Sequence, residues 1–153
     1  MIRIVPMQAA HQAAVAALET TAEQRDFVGN MADLLPTLTP DQRPFVILME
    51  QVVIGFFVLD DDYPNRYEFA HVPEVGVRAV VIDHRYQGRG LGSQAMQKMV
   101  ELNPEQTMIL TVNCRNIGAY KTYMRAGFRD DGELYLGGPA GPQHILRYGP
   151  ERE

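Results

Sequence analysis

The sequence predicts a single α/β domain, with a mixed, mostly antiparallel sheet of about seven strands and about four helices on its faces. Three observations lead to this fold class. The 153 residues suffice for one domain with a sizeable core. Apolar runs of strand length alternate with stretches of helical periodicity. The 46% hydrophobic and 22% charged residues are ordinary for a globular protein.

The N-terminal half predicts a strand, two helices and a hairpin. The alanine-rich stretch that follows the first strand has its apolar residues at helical spacing, and Thr20 and Thr21 can cap a second helix. The hairpin is apolar on both faces, which indicates central strands. The acidic run that follows, residues 60–65, predicts a solvated turn and loop. The elements are a strand at 2–7, helices at 8–19 and 20–35, and strands at 45–49 and 52–59.

The C-terminal half predicts four strands and two amphipathic helices. Leu91, Ala95, Met99 and Leu102 form one apolar stripe on the first of these helices, and Gly127 ends the second. The elements are a strand at 75–82, a helix at 91–102, a strand at 108–112, a helix at 116–125, and strands near 128–136 and 143–148.

Composition excludes several classes of protein. A single cysteine rules out an internal disulfide framework, and four scattered histidines predict no metal site. The net charge of −5 disfavours nucleic acid and would suit a cationic substrate. The sequence shows no membrane-length apolar run and no signal-peptide pattern. We therefore expect a cytoplasmic protein without membrane or nucleic-acid partners, and a homodimer stays open.

A glycine-rich loop, RYQGRGLGS at residues 85–93, follows an apolar strand and opens a helix. Its alternate glycines, Gly88, Gly90 and Gly92, let an anion approach main-chain N–H groups at the helix N-terminus. The loop lacks the lysine of a Walker phosphate loop, and its third glycine comes too early for a dinucleotide fingerprint. It predicts a pyrophosphate site, although a simple tight turn remains an alternative.

A second motif, NIGAYKTYMRAGF at residues 116–128, begins one strand downstream. The spacing of Asn116, Tyr120 and Tyr123 places them on one helix face. Asn116 and Tyr123 lie roughly 10 Å apart along the helix axis, so they could contact different parts of one elongated ligand. The alternative is that both tyrosines are packing residues.

Together the two motifs resemble those of the GNAT-type N-acetyltransferase superfamily. Gln87, Gly90 and Gly92 match its Q-x-x-G-x-G acetyl-CoA loop, and residues 116–128 match its N-x-x-A-x-x-x-Y-x-x-x-G-F signature. Residues 82–92 are most similar to bacterial spermine/spermidine acetyltransferase-like members. The resemblance implies a GNAT fold splayed at its two central strands. It also implies acetyl transfer from acetyl-CoA to a small primary amine, polyamine-like or otherwise cationic, by direct attack without metal.

The same resemblance implies a set of site residues. A backbone N–H near Val81 or Ile82 would stabilise the oxyanion of the thioester, and Tyr123 would act as general acid toward the departing CoA thiolate. The acetyl-CoA contacts would come from Val80, Val81 and Ile82 on the strand, from Gln87, Gly88, Arg89, Gly90, Leu91, Gly92 and Ser93 in the loop, and from Asn116, Ala119 and Tyr123 on the helix.

The general base and the acceptor are less well specified. Glu74 shares strand parity with Val80 and Ile82 and could reach the acceptor through water, or it could be an ordinary loop carboxylate. Gln143 and His144 stand where relatives often carry a glutamate, which weakens the polyamine assignment. Two other functions stay open: a non-catalytic acyl-CoA-binding domain on the same fold, and an unrelated nucleotide-binding α/β protein.

Overall fold

The structure is a computed structural model, and it describes residues 1–149 except for the side chains of Glu23 and Asp26. In this part of the chain, no helix has the length and apolar character needed to cross a bilayer. The strands are β1 (Ile2–Pro6), β2 (Gln42–Met49), β3 (Val52–Asp60), β4 (Val75–Ile82), β5 (Met108–Asn113), β6 (Arg129–Tyr135) and β7 (Gln143–Tyr148). The helices are α1 (Gln12–Ala16), α2 (Ala22–Val28), α3 (Met31–Leu34), α4 (Tyr63–Arg66), α5 (Leu91–Glu101) and α6 (Ile117–Arg125).

The strands form one seven-stranded sheet in the order β1-β2-β3-β4-β5-β7-β6. Neighbouring strands are antiparallel, except that β4 and β5 run parallel. Their pairing is confined to Val75 with Met108 and Gly76 with Ile109, beyond which the strands part. The mixed, mostly antiparallel sheet with a central splay is thus confirmed.

A bulge in β4 lies just beyond this pairing. Ala79 and Val80 together face one residue of β3, between the pairs Phe56–Val81 and Val58–Arg78. Ala79 adopts a positive φ of 54°. An extra residue in one strand bends it and increases its local twist. The bulge therefore turns β4 where it leaves β5.

Both strands of the hairpin, β2 and β3, are buried on both faces. Residues of one parity, including Ile47 and Phe57, pack in a cluster with Met96 and Met99 of α5. Residues of the other parity, including Val46, pack with the N-terminal helices. Because successive strand side chains point to opposite faces, β2 and β3 supply both clusters. The expectation that this hairpin is central is confirmed.

The N-terminal helices are shorter than predicted. The segment 8–19 contains a 3-10 turn at Ala9–His11 and the five-residue α1. Thr21 caps α2 as expected, with its side chain accepting from the Gln24 N–H. Gly29 then interrupts the helix with a φ of 85°, so that α2 and α3 are separate. A positive φ cannot continue a right-handed helix, and this break was missed.

The acidic run at residues 60–65 was predicted to be a solvated turn and loop, but the structure buries part of it. Asp60 is fully buried, and Tyr63 is buried at the start of α4. The Asp60 carboxylate accepts from Arg66 Nε at 2.8 Å and from a terminal nitrogen of Arg78 at 3.2 Å. These ion pairs offset the cost of removing the carboxylate from water.

We predict that Gly55→Ala destabilises the fold, because β3 and β4 approach closely at this glycine. An added Cβ would lie 2.6 Å from the Val81 carbonyl oxygen and 2.9 Å from Cδ1 of Ile47. Overpacking of this kind costs about 1–3 kcal/mol, measurable as a lower free energy of unfolding in urea.

Gly118→Ala in α6 is the matched control. A Cβ at Gly118 meets no atom within 4 Å, and alanine favours helix by up to about 1 kcal/mol. Equal stabilities for Gly55→Ala and the wild type would contradict the close approach of β3 and β4.

Candidate active site

A cavity of about 320 Å³ lies where β4 and β5 diverge. The two strands line it with residues 77–80 and 111–113, and α6 contributes further side chains. The end of α2 also reaches the cavity, and so do the aromatic side chains of Tyr63, Tyr67 and Tyr135. The splay thus provides space between strands that would otherwise be hydrogen-bonded.

Backbone groups at the end of β4 face this gap. The Asp83 N–H donates to the Ile54 carbonyl at 2.7 Å, which shows that the N–H of Asp83 points toward β3. Adjacent residues of a strand direct their N–H groups to opposite sides. The Val81 N–H therefore faces β3, whereas the backbone of Ile82 faces away from β3, toward the splay.

The Ile82 carbonyl is already hydrogen-bonded by side chains. It accepts from Nε2 of Gln87 at 2.9 Å and from Nε2 of Gln24 at 3.2 Å. Gln87 was expected to contact acetyl-CoA directly. In the structure its amide holds the backbone of β4 next to the glycine loop.

The glycine loop ends at the N-terminus of α5. Gly88 and Gly90 have φ values of 79° and 74°, and a Cβ at either would meet no atom within 4 Å. The next three residues, Leu91, Gly92 and Ser93, begin the helix, where N–H groups lack acceptors within the helix. The open loop and the free amides form a concave surface suited to an anion.

The third glycine brings three elements together. A Cβ on Gly92 would lie 3.7 Å from Cγ1 of Ile82 and 3.7 Å from Cγ2 of Thr122. The start of α5 thus packs beside the end of β4 and the middle of α6. These are the three elements on which the sequence placed the acetyl-CoA contacts.

Asp83 anchors the start of the loop. This buried carboxylate accepts from the N–H and the guanidinium of Arg85 and from the N–H of Glu19 at 2.9 Å. The hydrogen bonds from Arg85 lower the pKa of Asp83 to about 2. Arg89 lies over the Tyr86 ring, with its Cζ 5.5 Å from the ring centre.

The second motif forms α6 with Asn116 as its N-cap, accepting from the Ala119 N–H at 3.4 Å. Asn116, Ala119 and Tyr123 line the cavity, so of the three residues that the helical spacing placed on one face, Asn116 and Tyr123 reach it. Tyr120 contacts other residues instead. Its hydroxyl donates to Asp130 at 2.7 Å, and its ring lies 4.6 Å from that of His144.

Tyr123 is buried, and its ring packs edge-on against Phe128 with 5.7 Å between centroids. Within the described part of the chain its hydroxyl has no hydrogen-bond partner, and the residue lines the cavity. Burial raises the pKa of Tyr123 above the ordinary value near 10. Its phenol is therefore neutral and available as a donor to a molecule in the cavity.

Glu74 is not brought to the cavity. It is 1% exposed, and both of its carboxylate oxygens are engaged. Oε1 accepts from the His71 N–H at 2.6 Å, and Oε2 accepts from Nε of Arg147 at 2.8 Å. Glu74 therefore forms a structural ion pair that joins β7 to the start of β4. This position does not support the hypothesis that Glu74 is the general base.

Two parts of the cavity lining were not predicted from the sequence. One is Arg78, and the other is an aromatic wall formed by Tyr63, Tyr67 and Tyr135. Tyr63 begins α4 and Tyr67 directly follows that helix, in a segment that was expected to be a loop, and Tyr135 comes from β6. Tyrosines in such segments have no periodicity that marks them as a shared surface. Arg78 did carry a signal, because it is the one charged residue in the apolar strand 75–82.

Comparison with known proteins gives one family match. The family model described as the acetyltransferase (GNAT) family matches residues 8–128. YbbJ, an uncharacterised N-acetyltransferase of Bacillus subtilis, is 29% identical over 114 residues, which is 71% of each chain. The spermine/spermidine N(1)-acetyltransferase of Bacillus subtilis is 39% identical over 100 residues, which is 63% of this chain and 65% of that protein.

Solved structures share the fold at lower identity. The aminoglycoside acetyltransferase AAC(6')-Ib, crystallised with coenzyme A and kanamycin, superimposes with a TM-score of 0.81 at 18% identity, covering 97% of this chain and 95% of that one. The spermidine N-acetyltransferase of Vibrio cholerae, crystallised with CoA and spermine, gives a TM-score of 0.69 at 15% identity, covering 95% and 94%.

We predict that Glu74→Gln lowers the free energy of unfolding by about 3 kcal/mol, because it leaves the Arg147 guanidinium without its buried counter-charge. Glu133→Gln is the control, since Glu133 pairs with the same arginine but is half exposed. That change should cost under about 1 kcal/mol in the same urea titration. Equal losses for the two variants would contradict a structural role specific to Glu74.

We predict that Asp83 makes stability depend on pH. Its folded pKa, about 2, lies below the ordinary 3.8, so its stabilisation is present above about pH 4 and fades as the pH falls toward 2. The stability difference between Asp83→Asn and the wild type should therefore be smaller at pH 3 than at pH 7. Asp61→Asn, at an exposed ion pair with Arg43, serves as the control. A difference for Asp83→Asn that is the same at both pH values would refute the expectation.

Proposed function

This chain belongs to the acetyltransferase (GNAT) family, and from that premise we propose that it transfers an acetyl group to a small primary amine by direct attack on the thioester. Membership of this family makes it an N-acetyltransferase that uses acetyl-CoA. One observation carries the proposal. The gap between β4 and β5 opens onto a cavity where the buried, neutral Tyr123 has a free hydroxyl.

The residues that would hold acetyl-CoA fit the group. We assign the pyrophosphate to the main-chain N–H groups of residues 88–93, where the glycine loop leaves room for an anion. We assign the pantetheine arm to the gap beside residues 80–82, because its amides can pair with backbone groups that β5 leaves unpaired. Asn116 and Ala119 would border the arm from α6. Gln87 supports this surface through the Ile82 carbonyl.

Two groups would act on the reacting atoms. The Ile82 N–H is turned toward the gap, so of the two strand residues considered we assign it, rather than Val81, as donor to the thioester oxygen while negative charge develops there. Tyr123 donates its proton to the sulfur as the carbon–sulfur bond breaks. When bound, acetyl-CoA supplies an activated acyl group with a thiolate leaving group.

The proton balance follows from these assignments. The acceptor must attack as a neutral amine, which then carries a positive charge on nitrogen once the new C–N bond has formed. That nitrogen loses a proton as the amide is completed. The proton released from the nitrogen replaces the one that Tyr123 gave to the sulfur, because burial disfavours a tyrosinate. The products are an N-acetylated amine and the CoA thiol.

The acceptor is proposed here only as a small primary amine. The spermine/spermidine relative favours a polyamine, whereas the aminoglycoside enzyme with the same fold is named for another class of amine. The unbonded Tyr123 hydroxyl argues for catalysis over simple acyl-CoA binding, since a binding domain needs no acid there. We expect a cytoplasmic enzyme, in keeping with the single cysteine, and a homodimer remains an option for its assembly.

We predict that Tyr123→Phe lowers the turnover number by about 10²–10⁴, because a positioned general acid is lost while the ring and its packing remain. The measurement is thiol release with a good acceptor at saturating acetyl-CoA. Affinity for acetyl-CoA, measured by isothermal titration, should be nearly unchanged.

Tyr120→Phe is the matched control on the same helix. Its hydroxyl is bound to Asp130 and its side chain does not line the cavity, so turnover should stay within about threefold of wild type. A Tyr123→Phe enzyme that is equally active would show that the thiolate takes its proton from water. A wild-type protein that binds no acetyl-CoA would refute the proposed function itself.

A further inference from the structure

The charge of the cavity is unexpected for an enzyme of cationic amines. Among its described lining residues, Arg78 is the one with a charged side chain, and no described carboxylate lines the cavity. A polyamine held here would place a second ammonium group near a guanidinium. Like charges repel each other at close range, so the guanidinium of Arg78 disfavours binding of a polyamine.

The ion pair of Arg78 uses only part of its guanidinium and is shared with a second arginine. Its partner Asp60 is a single carboxylate, and Oδ2 of Asp60 also accepts from Arg66 Nε at 2.8 Å, closer than the 3.2 Å contact from Arg78. Asp60 is thus shared between two guanidinium groups, and Arg66 has a further, more distant partner in Asp62, 3.9 Å away. Within the described part of the chain, the remaining nitrogens of Arg78 make no hydrogen bond, so they are available to a ligand.

The surroundings of Arg78 hold its guanidinium in place. Its Cζ lies 5.9 Å from the ring centre of Tyr67, and Tyr67 packs against Tyr63 and Tyr135 with 4.7 and 5.6 Å between ring centres. All three tyrosines line the cavity. An arginine fixed in this way presents parallel N–H donors that match a carboxylate.

We propose that Arg78 binds a carboxylate of the acceptor, so that the substrate is a small amino carboxylate rather than a polyamine. This inference rests on the proposed function, because it concerns the acceptor of the same reaction. Arg78 and Val80 both line the cavity, on either side of the bulge at Ala79. One small molecule can therefore place its carboxylate at Arg78 and its amine near the splayed end of β4.

The test uses sets of acceptors that differ only in the group remote from the amine. One set is 4-aminobutanoate, 4-aminobutanamide and 1,4-diaminobutane, and a second is 5-aminopentanoate and 5-aminopentanamide. Specificity is measured as kcat/KM for thiol release. We expect the carboxylate member of a set to be preferred over its amide by about tenfold to a hundredfold, the usual effect of a hydrogen bond to a charged group.

Variants attribute the preference to Arg78. Arg78→Met should abolish it, Arg78→Lys should retain part of it, and Arg43→Met, which removes an arginine outside the cavity, should leave it unchanged. Titration with acetyl-CoA verifies that each variant is folded. A preference for the diamine, or a carboxylate preference that survives Arg78→Met, would overturn the proposal.

The failure of this inference can be distinguished from failure of the proposed function. If no amine is acetylated, the proposed function fails, and equilibrium binding of 4-aminobutanoate and 4-aminobutanamide to the CoA-loaded protein decides the role of Arg78 independently. Tighter binding of the carboxylate that depends on Arg78 supports the site, and equal binding overturns it. If amines are acetylated without regard to their remote group, only the carboxylate site is wrong.

Discussion

Parallel pairing between β4 and β5 stops after Val75–Met108 and Gly76–Ile109, and the arrangement of the site depends on where it stops. The Tyr63 ring packs directly against Gly76, at a position where any Cβ would collide with it. The bulge at Ala79 then turns β4 away. A sheet that stayed closed would leave no cavity, no Ile82 N–H facing a gap and no access to Tyr123.

Three buried carboxylates tie distant segments to this divided sheet. Asp60, Glu74 and Asp83 are each at most 1% exposed, and each is paired with at least one arginine. They fix, respectively, the entry to α4, the start of β4 and the approach to the glycine loop. Because the oxygens of these carboxylates are occupied by arginines and backbone N–H groups, the three acids hold the backbone in position. A carboxylate that is close to the site in sequence therefore need not take part in the chemistry.

Local patterns made most of the fold and half of the site predictable. The glycines, the Thr21 cap and the spacing from Asn116 to Tyr123 act within a few residues, so the sequence alone places them correctly. Contacts between remote segments have no such signature. Glu74 contacts an arginine 73 residues away, and Tyr67, which follows α4, packs against Tyr135 of β6. Proximity of this kind arises only when the sheet has assembled, and periodicity does not encode it.

A sheet that divides in its middle acquires two internal edges, and unpaired strand edges are templates for aggregation. The two glutamine amides on the Ile82 carbonyl occupy one of the acceptors that an incoming strand would need. That acceptor is therefore closed to a foreign strand, while the neighbouring gap stays wide enough for an elongated ligand.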